Sequence, residues 1–122
     1  MGSTLPKLFA AVGVLFCALM LWSNQRDIAR HDPRRSNGPR DVLLLTASWC
    51  GYCKAEKRAL LAAHVPFREL DVEADSEGRK AHQAVGGRGV PVTVIGADVV
   101  YGFDTRRLNA LLGARGYEVT LQ

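Results

Sequence analysis

Cysteine is scarce in this 122-residue chain, and the scarcity narrows its chemistry. Two of the three cysteines share the tetrapeptide Cys50-Gly51-Tyr52-Cys53, so no disulfide framework can be built from them. Histidine is as sparse. His31, His64 and His82 are not paired at ligand spacing, so the two further ligands a zinc site would need are missing and no metal is expected. Aromatic residues make up 7% of the chain and do not interleave with its arginines, which argues against nucleic acid as a partner despite a formal charge of +4. Small residues are missing where a signal peptidase would cut. Ala18 with Met20, and Leu21 with Ser23, each fail on one member.

The first thing present is an unbroken apolar run from Leu8 to Trp22, fifteen residues long, or eighteen from Leu5 if Lys7 snorkels to the interface. A bilayer span takes roughly 17–25 residues. With no cleavage site, an uncleaved anchor over residues 1–24 is expected, contacting the membrane through residues 5–23, with Trp22 at the boundary. Cys17, inside the run, reads as one more small apolar residue. Arg26, Arg30, Arg34, Arg35 and Arg40 follow in a segment broken by Asp32-Pro33 and Asn37-Gly38-Pro39, which reads as a basic linker over residues 25–40 attracted to anionic lipid. The positive-inside rule then puts the remainder on the cytoplasmic face of an inner membrane, as a single-pass protein. The periplasmic face, more usual for bacterial anchors of this kind, is the alternative.

Residues 41–114 carry nearly all the strand and helix patterning, leaving 115–122 as a tail. A domain of that size buries only about 60–65% of its unfolded surface, so modest stability is expected. Val42 to Thr46 is an apolar strand, Tyr52 to His64 a helix stopped before Pro66, and Phe67 to Val72 a second, alternating strand. Ser76 to Val85 is a second helix with Ser76 as candidate cap. Val92 to Ile95 and Val99 to Tyr101 form a hairpin, and Asp104 or Thr105 caps a last helix ended by Gly113. The class is α/β in the order β-α-β-α-β-β-α. A strand that ends at a Cys-x-x-Cys opening a helix is the pattern of a thiol–disulfide redox site. The helix start offers Cys50 unpaired N–H groups and the positive end of the dipole, and Lys54 and Lys57 add positive charge, all favouring a thiolate.

Three motifs in order carry a family resemblance: Trp49-Cys50-Gly51-Tyr52-Cys53-Lys54, Arg88-Gly89-Val90-Pro91 and Gly102-Phe103-Asp104. From Asp41 to Gly113 the chain resembles glutaredoxins of the thioredoxin superfamily. The resemblance implies a thioredoxin-like fold with a central mixed four-stranded sheet, here preceded by an N-terminal hydrophobic helix. It implies Cys50 as nucleophile, Cys53 as resolving thiol and Pro91 as a cis-proline opposite them. Trp49, Gly51, Tyr52 and Lys54 would support the site. Tyr52, Val90, Pro91, Gly102 and Asp104 would hold glutathione or a peptide, with no tightly bound cofactor and glutathione as co-substrate.

The chain also departs from the family. Gly51-Tyr52 replaces the usual Pro-Tyr, and the acid that thioredoxins carry six residues before the nucleophile is replaced by Leu44. The lysine that often precedes the first cysteine is missing from Thr46-Ala47-Ser48, and Asp104-Thr105 retains one acid of a usual pair. The expected function is that of a monomeric dithiol oxidoreductase reducing protein or glutathione mixed disulfides at a membrane surface. Electrons would come from glutathione or thioredoxin reductase. The rival readings are an iron–sulfur or metal carrier and a periplasmic disulfide-handling protein.

Overall fold

The computed structural model describes residues 2–122. Its first unit, within residues 1–30, is one helix, α1 (Thr4–Arg30), whose residues are exposed or half-exposed and whose length and composition are enough to cross a membrane. It runs past the expected end at residue 24 because Ser23 to Arg30 contains no glycine or proline, and Asp32-Pro33 is the first breaker. The Arg26 guanidinium lies 3.9 Å from the Trp22 ring centroid, a cation–π pair one turn apart.

The second unit spans His31–Gln122. Its first ten residues, expected as open linker, are folded onto it. Asp32 caps a single turn, α2 (Pro33–Ser36), by accepting the Arg34 N–H at 3.0 Å, and Arg34 in turn donates to the Ala84 carbonyl at 3.1 Å. Pro33 is buried. At the other end of the segment, the Tyr117 hydroxyl donates to the Arg40 carbonyl at 2.9 Å.

Four strands follow: β1 (Val42–Thr46), β2 (Arg68–Asp71), β3 (Val92–Ile95) and β4 (Asp98–Tyr101). They alternate with α3 (Gly51–Ala62), α4 (Ser76–Ala84) and α5 (Thr105–Ala114) in the expected order. The sheet order is β2-β1-β3-β4, with β1 parallel to β2 and the other pairs antiparallel, so the sheet is mixed. Every residue of β1 is buried, as a central strand covered on both faces requires. Alternate residues feed two cores. Val42, Leu44, Ile95 and Val100 meet Leu60, Leu108 and Leu112 of α3 and α5, while Leu43, Leu45, Val92 and Val94 meet Ala81 and Val85 beside α4.

Several ends differ from the sequence expectation. The cap of α4 is Asp75, not Ser76, and its carboxylate accepts the Asp71 N–H at 3.0 Å instead of a helix N–H. Helix α3 closes through His64, at φ 56, with the Val65 N–H donating to Leu60 and the His64 N–H to Leu61, which is the Schellman pattern. Helix α5 continues through Gly113 and is ended by Gly116 at φ 87. The tail is part of the core. Leu121 is buried, and the Asn109 amide exchanges two hydrogen bonds with its backbone, at 2.7 and 3.1 Å.

Candidate active site

The parallel β1–β2 pairing sends β1 into the mouth of α3, and Cys50 stands at that junction. Its backbone is extended (φ −82, ψ 111), and its sulfur, not a hydroxyl, caps the helix by accepting the Cys53 N–H at 3.1 Å. One N–H that would otherwise be orphaned at the helix start is therefore aimed at Cys50 Sγ. Cys50 and Cys53 are joined in a disulfide with Cα atoms 5.3 Å apart, and both are buried. Ala47 and Val90 pack against them. The Val90–Pro91 peptide is cis, as expected, and Pro91 is buried.

Two large aromatic side chains flank the buried disulfide while remaining exposed, Trp49 at 68% and Tyr52 at 74%. Trp49 is held from the β2–α4 turn, where its indole N–H donates to Glu73 at 2.5 Å. That turn is fixed by Asp71, whose carboxylate accepts the N–H groups of Ala74 and Glu73 at 2.9 and 2.7 Å and is held below its ordinary pKa by them. Gly51 occupies the first helical position, and a Cβ there would meet nothing within 4 Å, so crowding does not impose it. Lys54 is exposed. Lys57, expected to add charge at the cysteines, is ion-paired with Glu69 of β2 at 2.9 Å.

Beside Val90 opens a cleft of about 530 Å³, lined by Gly86, Arg88, Gly89, Val90, Pro91, Tyr101 and Gly102. It brings Val90, Pro91 and Gly102 together. It does not include Tyr52 or Asp104. The Asp104 carboxylate caps α5 through the Arg107 N–H at 3.0 Å, and the Gly102 N–H donates to the Pro91 carbonyl at 2.9 Å. Phe103 is packed on the core. His82 is half-buried, and its Nε2 lies 2.8 Å from the Gly89 carbonyl. Its ring lies so close to Gly87 that a Cβ there would come within 2.4 Å of it, which explains the glycine.

Sequence reasoning missed three groups. Arg88 lay inside a quoted motif but carried no role, and it is an exposed cation at the cleft. Tyr101 ends β4 and forms the opposite wall, its hydroxyl donating to the Val85 carbonyl at 2.5 Å. Glu56 is the third. It is fully buried, and its Oε1 accepts the Thr93 hydroxyl of β3, while Oε2 has no partner among the described residues. Burial pushes its carboxyl up to about 7, and the Thr93 bond offsets this only in part. The signal was in the helix spacing: Cys53, Glu56 and Leu60 fall at i, i+3 and i+7, one face of α3.

The glutaredoxin family model matches residues 42–100. No curated protein matches the sequence. Among solved structures, the glutaredoxin-like protein NrdH-redoxin from Escherichia coli is 30% identical, covers 58% of this chain and 93% of its own, and superposes with a TM-score of 0.53. A glutaredoxin from Archaeoglobus fulgidus is 28% identical over 62% of this chain and 88% of its own, with a TM-score of 0.52. Buckwheat glutaredoxin, solved with glutathione, is 18% identical, covers 80% of this chain and 97% of its own, and with a TM-score of 0.63 shares the fold. With its Cys50–Cys53 pair, its mixed sheet and these relatives, the chain belongs to the glutaredoxin family.

Proposed function

We propose that the chain is a membrane-anchored thiol–disulfide oxidoreductase that reduces protein disulfides by a dithiol mechanism. The observation that carries the reading is the place of Cys50, whose sulfur caps α3 and is bonded to Cys53. In the reduced protein the same N–H and the helix dipole favour the Cys50 thiolate over the thiol. That thiolate attacks a substrate disulfide, forming a Cys50 mixed disulfide and releasing one substrate thiolate. Cys53 then attacks Cys50 Sγ, the second substrate thiolate leaves, and the Cys50–Cys53 disulfide closes. Two electrons have passed to the substrate. Trp49, Tyr52 and the cleft beside Val90 would receive the extended peptide around the substrate cysteine.

For the donor we favour a thioredoxin reductase over glutathione. Asp104, the remaining acid of the third motif, is engaged as a helix cap, and the Gly102 N–H is bonded to Pro91. The E. coli relative is described as glutaredoxin-like with a thioredoxin-like activity profile, which supports the same choice. Arg88 leaves glutathione as the alternative, because a cation at the cleft suits a carboxylate. Insulin reduction driven by NADPH and thioredoxin reductase should proceed, whereas NADPH, glutathione reductase and glutathione should support it weakly. The opposite ranking would overturn the choice of donor. A reduction potential near −270 mV would agree with it, and one of roughly −200 to −230 mV with glutathione.

Helix α1 would hold the domain at the membrane, and the arginines after Trp22 favour the cytoplasmic face by the positive-inside rule. C-terminal reporter fusions active only outside the cytoplasm would reverse that orientation.

A further inference from the structure

Glu56 has no part in the reaction just described, yet it is fully buried on the same helix as the cysteine whose part in it is least explained. Cys53 must lose a proton in the resolving step, and it is buried where water does not collect it easily. Cys53 and Glu56 lie three residues apart on the inner face of α3, a spacing that makes side chains neighbours. Helix side chains lean toward the N-terminus, so a Glu56 carboxyl reaches back toward the Cys53 turn. Its other anchor fixes it there. Oε1 accepts the hydroxyl of Thr93, two residues beyond the cis-proline, and Oε2 is left buried without a partner among the described residues.

The core on this face of the sheet is apolar apart from Glu56 and two buried threonines, Thr93 and, two residues beyond Leu44, Thr46. In the sheet, Thr93 stands between Leu44 of β1 and Val100 of β4. Leu108 and Leu112 of α5 and Leu60 of α3 belong to the core cluster on that face of the sheet. Among the buried residues of α3, Cys53 is the one besides Glu56 that carries an ionisable proton once reduced. Burial, not a neighbouring charge, is what holds the carboxyl protonated up to about pH 7 in this oxidised form.

We propose that Glu56 is the proton carrier of the resolving thiol, an inference that rests on the dithiol reading. In the resolving step the Cys53 proton passes to Glu56 Oε2, the Cys53–Cys50 bond forms, and the Cys50–substrate bond breaks with its electron pair on the departing thiolate. In re-reduction a donor thiolate attacks Cys50, Cys53 leaves with the electron pair, and Glu56 returns the proton to it. Wherever Glu56 is ionised before the step, the proton therefore sits on Cys53 before the disulfide closes and on Glu56 after it.

The test is a single turnover of the reduced full chain in nonionic detergent with 5,5′-dithiobis(2-nitrobenzoate), in a Cys17→Ser background that removes the exposed third thiol. The first coloured thiolate reports attack by Cys50 and the second reports resolution by Cys53. Glu56→Gln should leave the first phase unchanged and slow the second on the order of 100-fold near pH 7, the scale of a lost general base. The wild-type second phase should show an inflection near neutral pH, which Glu56→Gln should replace with a steady rise toward alkaline pH, and Glu56→Asp should restore part of the rate. Unchanged second phases, or equal slowing of both, would overturn the proposal. Absence of the first phase from the wild type would instead refute the dithiol reading itself. Should the variant not fold, infrared difference spectra of the wild type decide: a protonated carboxyl band must be lost on reduction, and its persistence contradicts the proposal.

Discussion

A buried carboxyl that holds its proton up to about pH 7 makes the domain's stability fall as pH rises, and Glu56→Gln should abolish that part of the dependence. The group's ordinary value is 4.5, and burial raises it to about 7 in the folded state. Below pH 4.5 both states hold the proton and nothing is lost. Between these values the folded state keeps a proton that the unfolded state has released, so the unfolded state is favoured increasingly. Above about pH 7 both are ionised and the loss is complete. At about 1.4 kcal/mol per pH unit, the interval corresponds to about 3 kcal/mol, a large share of a small domain's stability. Asp32 and Asp71 have lowered values, so their contributions are lost only at more acid pH, outside this window. The assay is urea unfolding of the oxidised chain in nonionic detergent, followed by Trp49 fluorescence in a Trp22→Phe background, between about pH 4.5 and pH 8. The wild type should lose about 3 kcal/mol relative to Glu56→Gln across that range. Parallel curves for the two proteins would refute the argument.

Two further perturbations separate crowding from propensity. Gly78 lies inside α4, but a Cβ there would come within 2.4 Å of the Asp71 carbonyl, so Gly78→Ala should destabilise the oxidised domain by about 1–3 kcal/mol. Gly113 lies in α5 with nothing within 4 Å of an added Cβ, so Gly113→Ala should stabilise it by about 0.4–1 kcal/mol. His64 holds a left-handed φ of 56 at the end of α3, and His64→Gly should raise the urea midpoint by the equivalent of about 1 kcal/mol. Equal responses at the two glycines, or a lowered midpoint for His64→Gly, would show that these backbone arguments fail.

The elements easiest to read from the residues were those fixed by one dominant force. Val42–Thr46 and Val92–Ile95 have the bounds expected of them, because continuous burial on both faces leaves an apolar run no alternative. The cis bond before Pro91 followed from the family motif, whereas the packing of Val90 on the cysteines did not. Long-range contacts were not legible. Nothing in Asp32-Pro33 announces that Arg34 will reach the Ala84 carbonyl, and nothing in Asn109 announces its pairing with Leu121. Glu56 was passed over for a different reason. The missing strand acid was sought at Leu44, whereas the carboxyl enters the same core from α3, bonded to Leu44's cross-strand neighbour Thr93. The helix face was readable, but the polar partner that makes such a residue tolerable was not.

The central claim is that Cys50 attacks and Cys53 resolves, and one trapping measurement bears on it most directly. Reduced Cys53→Ser protein, with Cys17→Ser to remove the exposed thiol, is mixed with a disulfide-bonded peptide and its intact mass recorded. A stable mixed disulfide on Cys50 is expected, none when Cys50→Ser is tested instead, and only transient adduct when both active-site cysteines are present. An adduct that forms equally well on Cys53 when Cys50 is absent would contradict it.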